Sequence, residues 1–107
     1  MGFNYEVNQD PGPGEPAVYR LSGDLDNRVQ PPEGRLVLDL DPVAPGRDVV
    51  LDASELEFLD STGIRHLLDV RSAVVEQGGA LQLRGARPVV KRVVEVTGLT
   101  DALGVVD

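Results

Sequence analysis

The chain has no cysteine and a single histidine, His66. Without thiols there can be no disulfide, no thiolate metal site and no cysteine nucleophile, and one histidine leaves no zinc-binding set. A cysteine-free chain suits a reducing compartment, so a cytoplasmic location is expected. Aromatic residues make up 4% of the sequence, too few for a platform on which bases could stack. Ten basic residues stand against 18 acidic ones, a formal net charge of −8, and the basic residues form no stripe. A phosphate backbone would be repelled, so nucleic acid is set aside as a partner. No apolar run approaches the roughly 18 residues of a membrane span. Met1-Gly2-Phe3-Asn4-Tyr5-Glu6 also lacks the basic start and apolar stretch of a secretory signal. No membrane partner is expected.

What is present fits one domain spanning all 107 residues, a length that buries about two-thirds of the unfolded surface without a metal or disulfide. Phe3 to Val7 alternates apolar and polar side chains, as a half-buried strand does. Asp10-Pro11-Gly12-Pro13-Gly14 is dense turn chemistry rather than a nucleotide loop. Ala17 to Leu21 then reads as a second strand, antiparallel to the first. Ser22-Gly23-Asp24-Leu25-Asp26 closes that strand with two carboxylates around a turn. In residues 27–47, Pro31-Pro32-Glu33 suits a first helical turn, and Leu36, Leu40 and Val43 sit at helical spacing. Leu36, Leu38 and Leu40 also alternate like a strand. The preferred reading is a short helix ending before Pro42, followed by a loop to Asp48.

Asp48-Val49-Val50-Leu51-Asp52 has the look of a buried central strand. A strong amphipathic helix is predicted from Thr62 to Gln77, with Ile64, Leu67, Leu68, Val74 and Val75 on one face and Arg65, Asp69, Ser72 and Glu76 on the other. Arg71 falls near the middle of the apolar face, which the pattern does not explain. Gly78-Gly79 ends this helix, Ala80 to Arg84 alternates as a strand, and Pro88 opens a further helix stopped at Gly98. A short element closes the chain near Ala102 to Val106. The order β-β-α-β-α-β-α implies an α/β domain, a mixed sheet of four to five strands covered by three to four helices.

Asp60-Ser61-Thr62-Gly63 lies where the buried strand hands over to the strong helix. Asp, Ser and Thr are preferred N-caps, because their oxygens accept hydrogen bonds from the orphan N–H groups of the first turn, and capping alone would account for them. The same helix end, with partial positive charge and free donors, also tolerates a phosphate. A phosphoserine there adds about −1.5 to −2 charge and changes the surface offered to a partner without unfolding its own domain. Thr62 could take the phosphate instead, but its place one step inside the helix suits a structural role.

Val49-Val50-Leu51-Asp52 followed by Phe58-Leu59-Asp60-Ser61-Thr62-Gly63-Ile64 resembles the core signature of STAS domains, the anti-sigma factor antagonists. Ser22-Gly23-Asp24-Leu25-Asp26 is similar to that family's second-strand ending, Gly78 to Leu83 to its fourth strand, and Val93 to Leu99 to its closing helix. The resemblance covers positions 17–106 in the right order. It implies a protein-binding switch rather than an enzyme: the unphosphorylated domain binds an anti-sigma factor serine kinase and so frees a sigma factor. The kinase then phosphorylates the serine after the motif aspartate, and a serine phosphatase resets it. Carried over, Ser61 is the acceptor, Asp60, Thr62 and Gly63 shape its loop, and Asp24 and Asp26 lie near the kinase-facing surface. No cofactor or metal is implied. The alternative within the family is a STAS module that scaffolds or senses a ligand without phosphorylation, as stressosome-like members do. Transporter-borne members are set aside by the lack of membrane-length runs. The chain departs from the family pattern at Pro31-Pro32 and Gly34, where a continuous helix is usual, and at the bulky Arg65 and His66.

Overall fold

The computed structural model describes residues 2–8 and 11–106. Asp10, the first residue of the turn predicted between the first two strands, lies outside the described residues, as do Met1, Gln9 and Asp107. Five strands and two helices follow one another as β1 (Asn4–Val7), β2 (Ala17–Leu25), β3 (Val49–Leu59), α1 (Ser61–Glu76), β4 (Leu81–Arg84), α2 (Pro88–Val96) and β5 (Val105–Val106). The strands form one sheet in sequential order, with β1 antiparallel to β2 and all other neighbours parallel. The mixed α/β sheet is as predicted. The described residues hold two α-helices rather than three to four.

Sequential order has a strong consequence. Right-handed crossovers between neighbouring parallel strands taken in one direction place every connection on the same face of the sheet. Burial agrees: Ala17, Tyr19, Leu21, Leu25, Leu51 and Leu56 of β2 and β3 share one continuous core with Leu67 and Val70 of α1 and Val90 and Val94 of α2. The opposite face is left open, although parallel strands are ordinarily covered on both sides. Its surface is accordingly charged. Across the pairing register Glu6 stands beside Arg20, Arg20 beside Asp52 and Asp52 beside Arg84, a row of alternating sign. The Asp52 carboxyl is held below the ordinary carboxylate range, first by the backbone N–H and hydroxyl of Ser54 and then by the Arg20 charge.

Two strands run further than predicted. The segment Ser22-Gly23-Asp24 continues β2 instead of turning, because Leu21, Gly23 and Leu25 all point into the core. Gly23 adopts φ +82, and a Cβ there would collide with the Gly2 carbonyl oxygen. β3 extends past Asp52 to Leu59 because β2 pairs with it along the whole length, through two register shifts that accommodate extra β3 residues. The hydrophilic stretch Ser54-Glu55-Leu56-Glu57 concealed this from a reading by hydropathy, since only Leu56 of the four is buried.

The helix expected within residues 27–47 is absent; that crossover is built of turns and bends. Pro31, Pro32, Pro42 and Pro45 break up its N–H donors, and Gly34 and Gly46 take positive φ. Leu38 and Val43 nevertheless enter the core. Between them, two tyrosines hold the peptide groups on either side of the Asp39 Cα: the Tyr19 hydroxyl donates to the Asp39 carbonyl oxygen at 2.5 Å, and the Tyr5 hydroxyl accepts from the Asp39 N–H at 3.1 Å. The two rings pack 5.9 Å apart. The sheet thereby satisfies Asp39, while turns within the crossover bond Val29 to Asp26, Arg35 to Pro32, Val43 to Leu40 and Arg47 to Ala44. The helix predicted over Thr62–Gln77 begins and ends one residue earlier, and the one opened by Pro88 is as predicted.

Burial, aided by the charges of Asp39, Tyr5 and Asp41, pushes the Tyr19 phenol up to about 12 from 10.0. A phenol whose folded pKa is raised favours folding fully below its unfolded value and loses that contribution as pH rises through the folded one. The urea midpoint of the wild type should therefore fall more between pH 10 and 12 than that of Tyr19→Phe. At neutral pH Tyr19→Phe should cost about 1 kcal/mol, the worth of one such hydrogen bond, in the same urea titration.

Candidate functional site

α1 starts where it does because Asp60 takes extended geometry, φ −115 and ψ −173, and its Oδ1 accepts the Gly63 N–H at 2.8 Å. Its Oδ2 accepts the Asn27 N–H at 3.1 Å, so one carboxylate joins the helix start to the chain leaving β2. The Asp60 N–H reaches back to the Leu25 carbonyl at 3.4 Å. Gly63 sits against that same carbonyl: a Cβ there would overlap it and come within 2.7 Å of Leu59 Cδ1. Glycine at 63 is thus set by close packing, its side-chain position being filled by β2.

Downstream of β2, Asp26 is nearly buried at 7% exposure and is gripped by Arg28. The Arg28 backbone N–H donates to Asp26 Oδ1 at 3.0 Å, its Nε to both carboxylate oxygens at 3.1 Å, and its Nη2 to Oδ2 at 2.7 Å. Nη2 also pairs with Asp24 Oδ2 at 3.2 Å. The Arg28 side-chain hydrogen bonds, followed by its backbone N–H, hold the Asp26 carboxyl below its ordinary value of 3.8. His66 Nε2 lies 3.2 Å from the Val29 carbonyl, which can only accept, so the imidazole carries its proton on that nitrogen and ties α1 to the same loop.

The six residues singled out in sequence converge at the end of the sheet where β2 and β3 finish and α1 begins. Their situations differ. Gly63 is buried, Thr62 half-buried, and Asp60 has both oxygens engaged. Asp24 and Asp26 share one guanidinium. Ser61, the first helical residue, is exposed, and its hydroxyl has no hydrogen-bond partner among the described residues. Phe58, which pairs with Asp24 in the register, is 44% exposed beside them. Sequence reasoning passed over Arg28 and Asn27. The Arg28 signal was available as an arginine two and four residues after Asp26 and Asp24, whereas Asn27 acts through its backbone and leaves no side-chain signature.

A family profile described as "Mlab, STAS domain" matches residues 9–107. The chain is a STAS domain. An anti-sigma F factor antagonist from Paenibacillus polymyxa is 26% identical over 93 residues, covering 84% of this chain and 77% of that protein. The solved structure of the anti-sigma factor antagonist SpoIIAA in its unphosphorylated form superposes with a TM-score of 0.65 at 17% identity, over 97% of this chain and 89% of that one. That likeness is one of fold. In this STAS domain no helix among the described residues is long and apolar enough to cross a membrane.

Removing the double role of Asp60 should cost more than an ordinary cap. Asp60→Ala is expected to lower stability by about 2 kcal/mol, the upper end for capping residues, against a few tenths for Ser61→Ala, read from chemical denaturation. A depressed carboxyl pKa favours folding above its unfolded value and loses that contribution as pH falls through the folded one. Arg28→Gln should therefore flatten the loss of stability of this STAS domain on acidification below pH 3.8.

Proposed function

We propose that this chain is an anti-sigma factor antagonist that binds an anti-sigma factor serine kinase and is switched off by phosphorylation of Ser61. The single observation that carries the reading is the contrast within Asp60-Ser61-Thr62-Gly63. Capping is discharged by Asp60, and packing by Gly63, while Ser61 presents an unpartnered hydroxyl on the outer surface of a helix N-terminus. A phosphate there would meet the first-turn N–H groups without displacing the cap. It would also add charge beside Asp60, next to a surface that already carries Asp24 and Asp26.

The kinase would approach across the end of the sheet, touching Asp24, Asp26, Asp60, Ser61, Thr62 and Gly63. The two carboxylates past β2 are held in place by Arg28, so the partner meets a pre-ordered surface. A serine phosphatase would restore the binding form. The relatives named as anti-sigma factor antagonists support this assignment over an enzymatic one.

A second reading, a non-switching scaffold or ligand-sensing STAS module, draws on one observation. The helix-less crossover leaves an open cleft of about 610 Å³ against α1, lined by Tyr5, Leu36, Leu38, Asp39, Ala73 and Gln77 among others.

The two readings part under one experiment. Incubated with its cognate kinase and ATP, the wild type should gain one phosphate by intact mass and then lose affinity for the kinase. Ser61→Ala should bind and stay unmodified, and Ser61→Asp should bind at least about tenfold more weakly, as expected for an uncompensated like charge at an interface. Full phosphorylation of Ser61→Ala would place the acceptor elsewhere, and a kinase that neither binds nor modifies the wild type would leave the scaffold reading.

A further inference from the structure

Arg71 stands in the middle of the apolar side of α1, half-buried, and no hydrogen bond or ion pair joins it to any described residue. A guanidinium so placed and unpaired is unusual, since partly buried charges are ordinarily matched. Its surroundings are apolar too. On one flank of α1, His66 bonds the Val29 carbonyl, and Ala73 and Gln77 line the cleft under the β2–β3 crossover. The other flank, where Leu68 and Val75 follow Ser61 at intervals of seven residues, therefore looks toward α2. Both helices run from the end of one parallel strand to the start of the next on the same face, so they point the same way. That turns the Val89, Val93 and Val96 flank of α2 back toward α1. Val75 is 46% exposed, Val89 52% and Val96 71%, leaving a strip of apolar surface across the two helices.

We propose that this strip, Leu68, Val75, Val89, Val93 and Val96 around Arg71, docks an amphipathic helix of a partner protein that brings a carboxylate to the Arg71 guanidinium. Charge selects this occupant. No aspartate or glutamate stands on either facing flank, and the exposed Arg92, three and four residues from Val89 and Val96, borders it, so in a chain of net charge −8 this surface is aliphatic and cationic. An acidic helix supplies both what the valines and what the arginine lack. A second copy of the chain would bring Arg71 against Arg71. An anionic membrane would meet the net negative charge, and α2, nine residues long and without an aromatic ring, is a poor interfacial anchor.

The test is an NMR titration of the isotopically labelled chain with two synthetic helical peptides. Both carry leucines at i, i+3, i+4 and i+7; one has glutamates flanking that stripe and the other has glutamines. The glutamate peptide is expected to shift amide signals of residues 68–75 and 89–96 and to bind about tenfold more tightly than the glutamine peptide, the weight of one charge-assisted hydrogen bond. Arg71→Leu, with its thermal midpoint checked against wild type, should erase that difference. Val75→Asp, at an exposed position, should weaken the glutamate peptide by about tenfold through like charge. Equal binding of the two peptides, shifts confined to other surfaces, no binding by either peptide, or shifts evoked by phosphatidylglycerol vesicles and not by peptide would each overturn the assignment. The titration uses neither kinase nor nucleotide, so its failure leaves the reading of Ser61 untouched, and failure of phosphorylation leaves this one untouched.

Discussion

Both oxygens of the Asp60 carboxylate are committed, one to the first turn of α1 through Gly63 and the other to the backbone at Asn27. The arrangement at this end of the sheet depends on that junction. It fixes where α1 starts and how close it comes to the Leu25 carbonyl, and through Asn27 it holds the loop in which Arg28 clasps Asp24 and Asp26. A residue that only capped the helix would leave the β2 exit to find its own position. A residue that only bound the loop would leave the first-turn donors unmet. Because one side chain does both, the neighbouring serine is released from structural duty and can face outward.

What the sequence made legible follows from how local each determinant is. The α1 cap, the Gly78-Gly79 stop, the Pro88 start and the start of β2 at Ala17 are set by neighbours in the chain, and each lies within a residue or so of its predicted place. The distal half of β3 was not recovered. Ser54-Glu55-Leu56-Glu57 looks like a loop to any local rule, and its strand state is imposed by β2 pairing across two register shifts. Residues 27–47 failed in the opposite direction. Helical spacing of Leu36, Leu40 and Val43 was present, but four prolines and two glycines at positive φ prevented its use, and the tyrosines that stabilise the result lie more than 15 residues away in β1 and β2. The candidate site shows the same division. Asp60, Ser61 and Gly63 were found through their motif. Arg28 acts through a clasp that neither propensity nor periodicity reports.

Placing every crossover on one face also explains how the charges are distributed. The covered face uses nearly all the large aliphatic residues of β2 and β3. The open face must remain in water despite being largely parallel sheet, and it does so with the alternating row Glu6, Arg20, Asp52 and Arg84, whose neighbours neutralise one another across the strands. The net negative charge consequently resides elsewhere, much of it around the loops and the end of the sheet where Ser61 lies. The helix pair is where an unpaired cation and exposed valines coincide.

The crossover between β2 and β3 is held by side chains and by isolated bonds rather than by secondary structure: Leu38 and Val43 in the core, Asn27 on Asp60, Val29 on His66, Arg47 on the carbonyls of Gly12 and Glu15, and the backbone of Asp39 between two phenols. The two phenols grip backbone atoms of Asp39, while its carboxylate turns the chain by accepting the Asp41 N–H at 2.9 Å. The intervening exposed positions make no ladder and no helix, so they are free to drift in sequence while the sheet and the Asp60 junction stay as they are. A domain built this way can diversify one flank of its surface independently of its fold, and sister proteins sharing a cell could be kept apart by that flank alone.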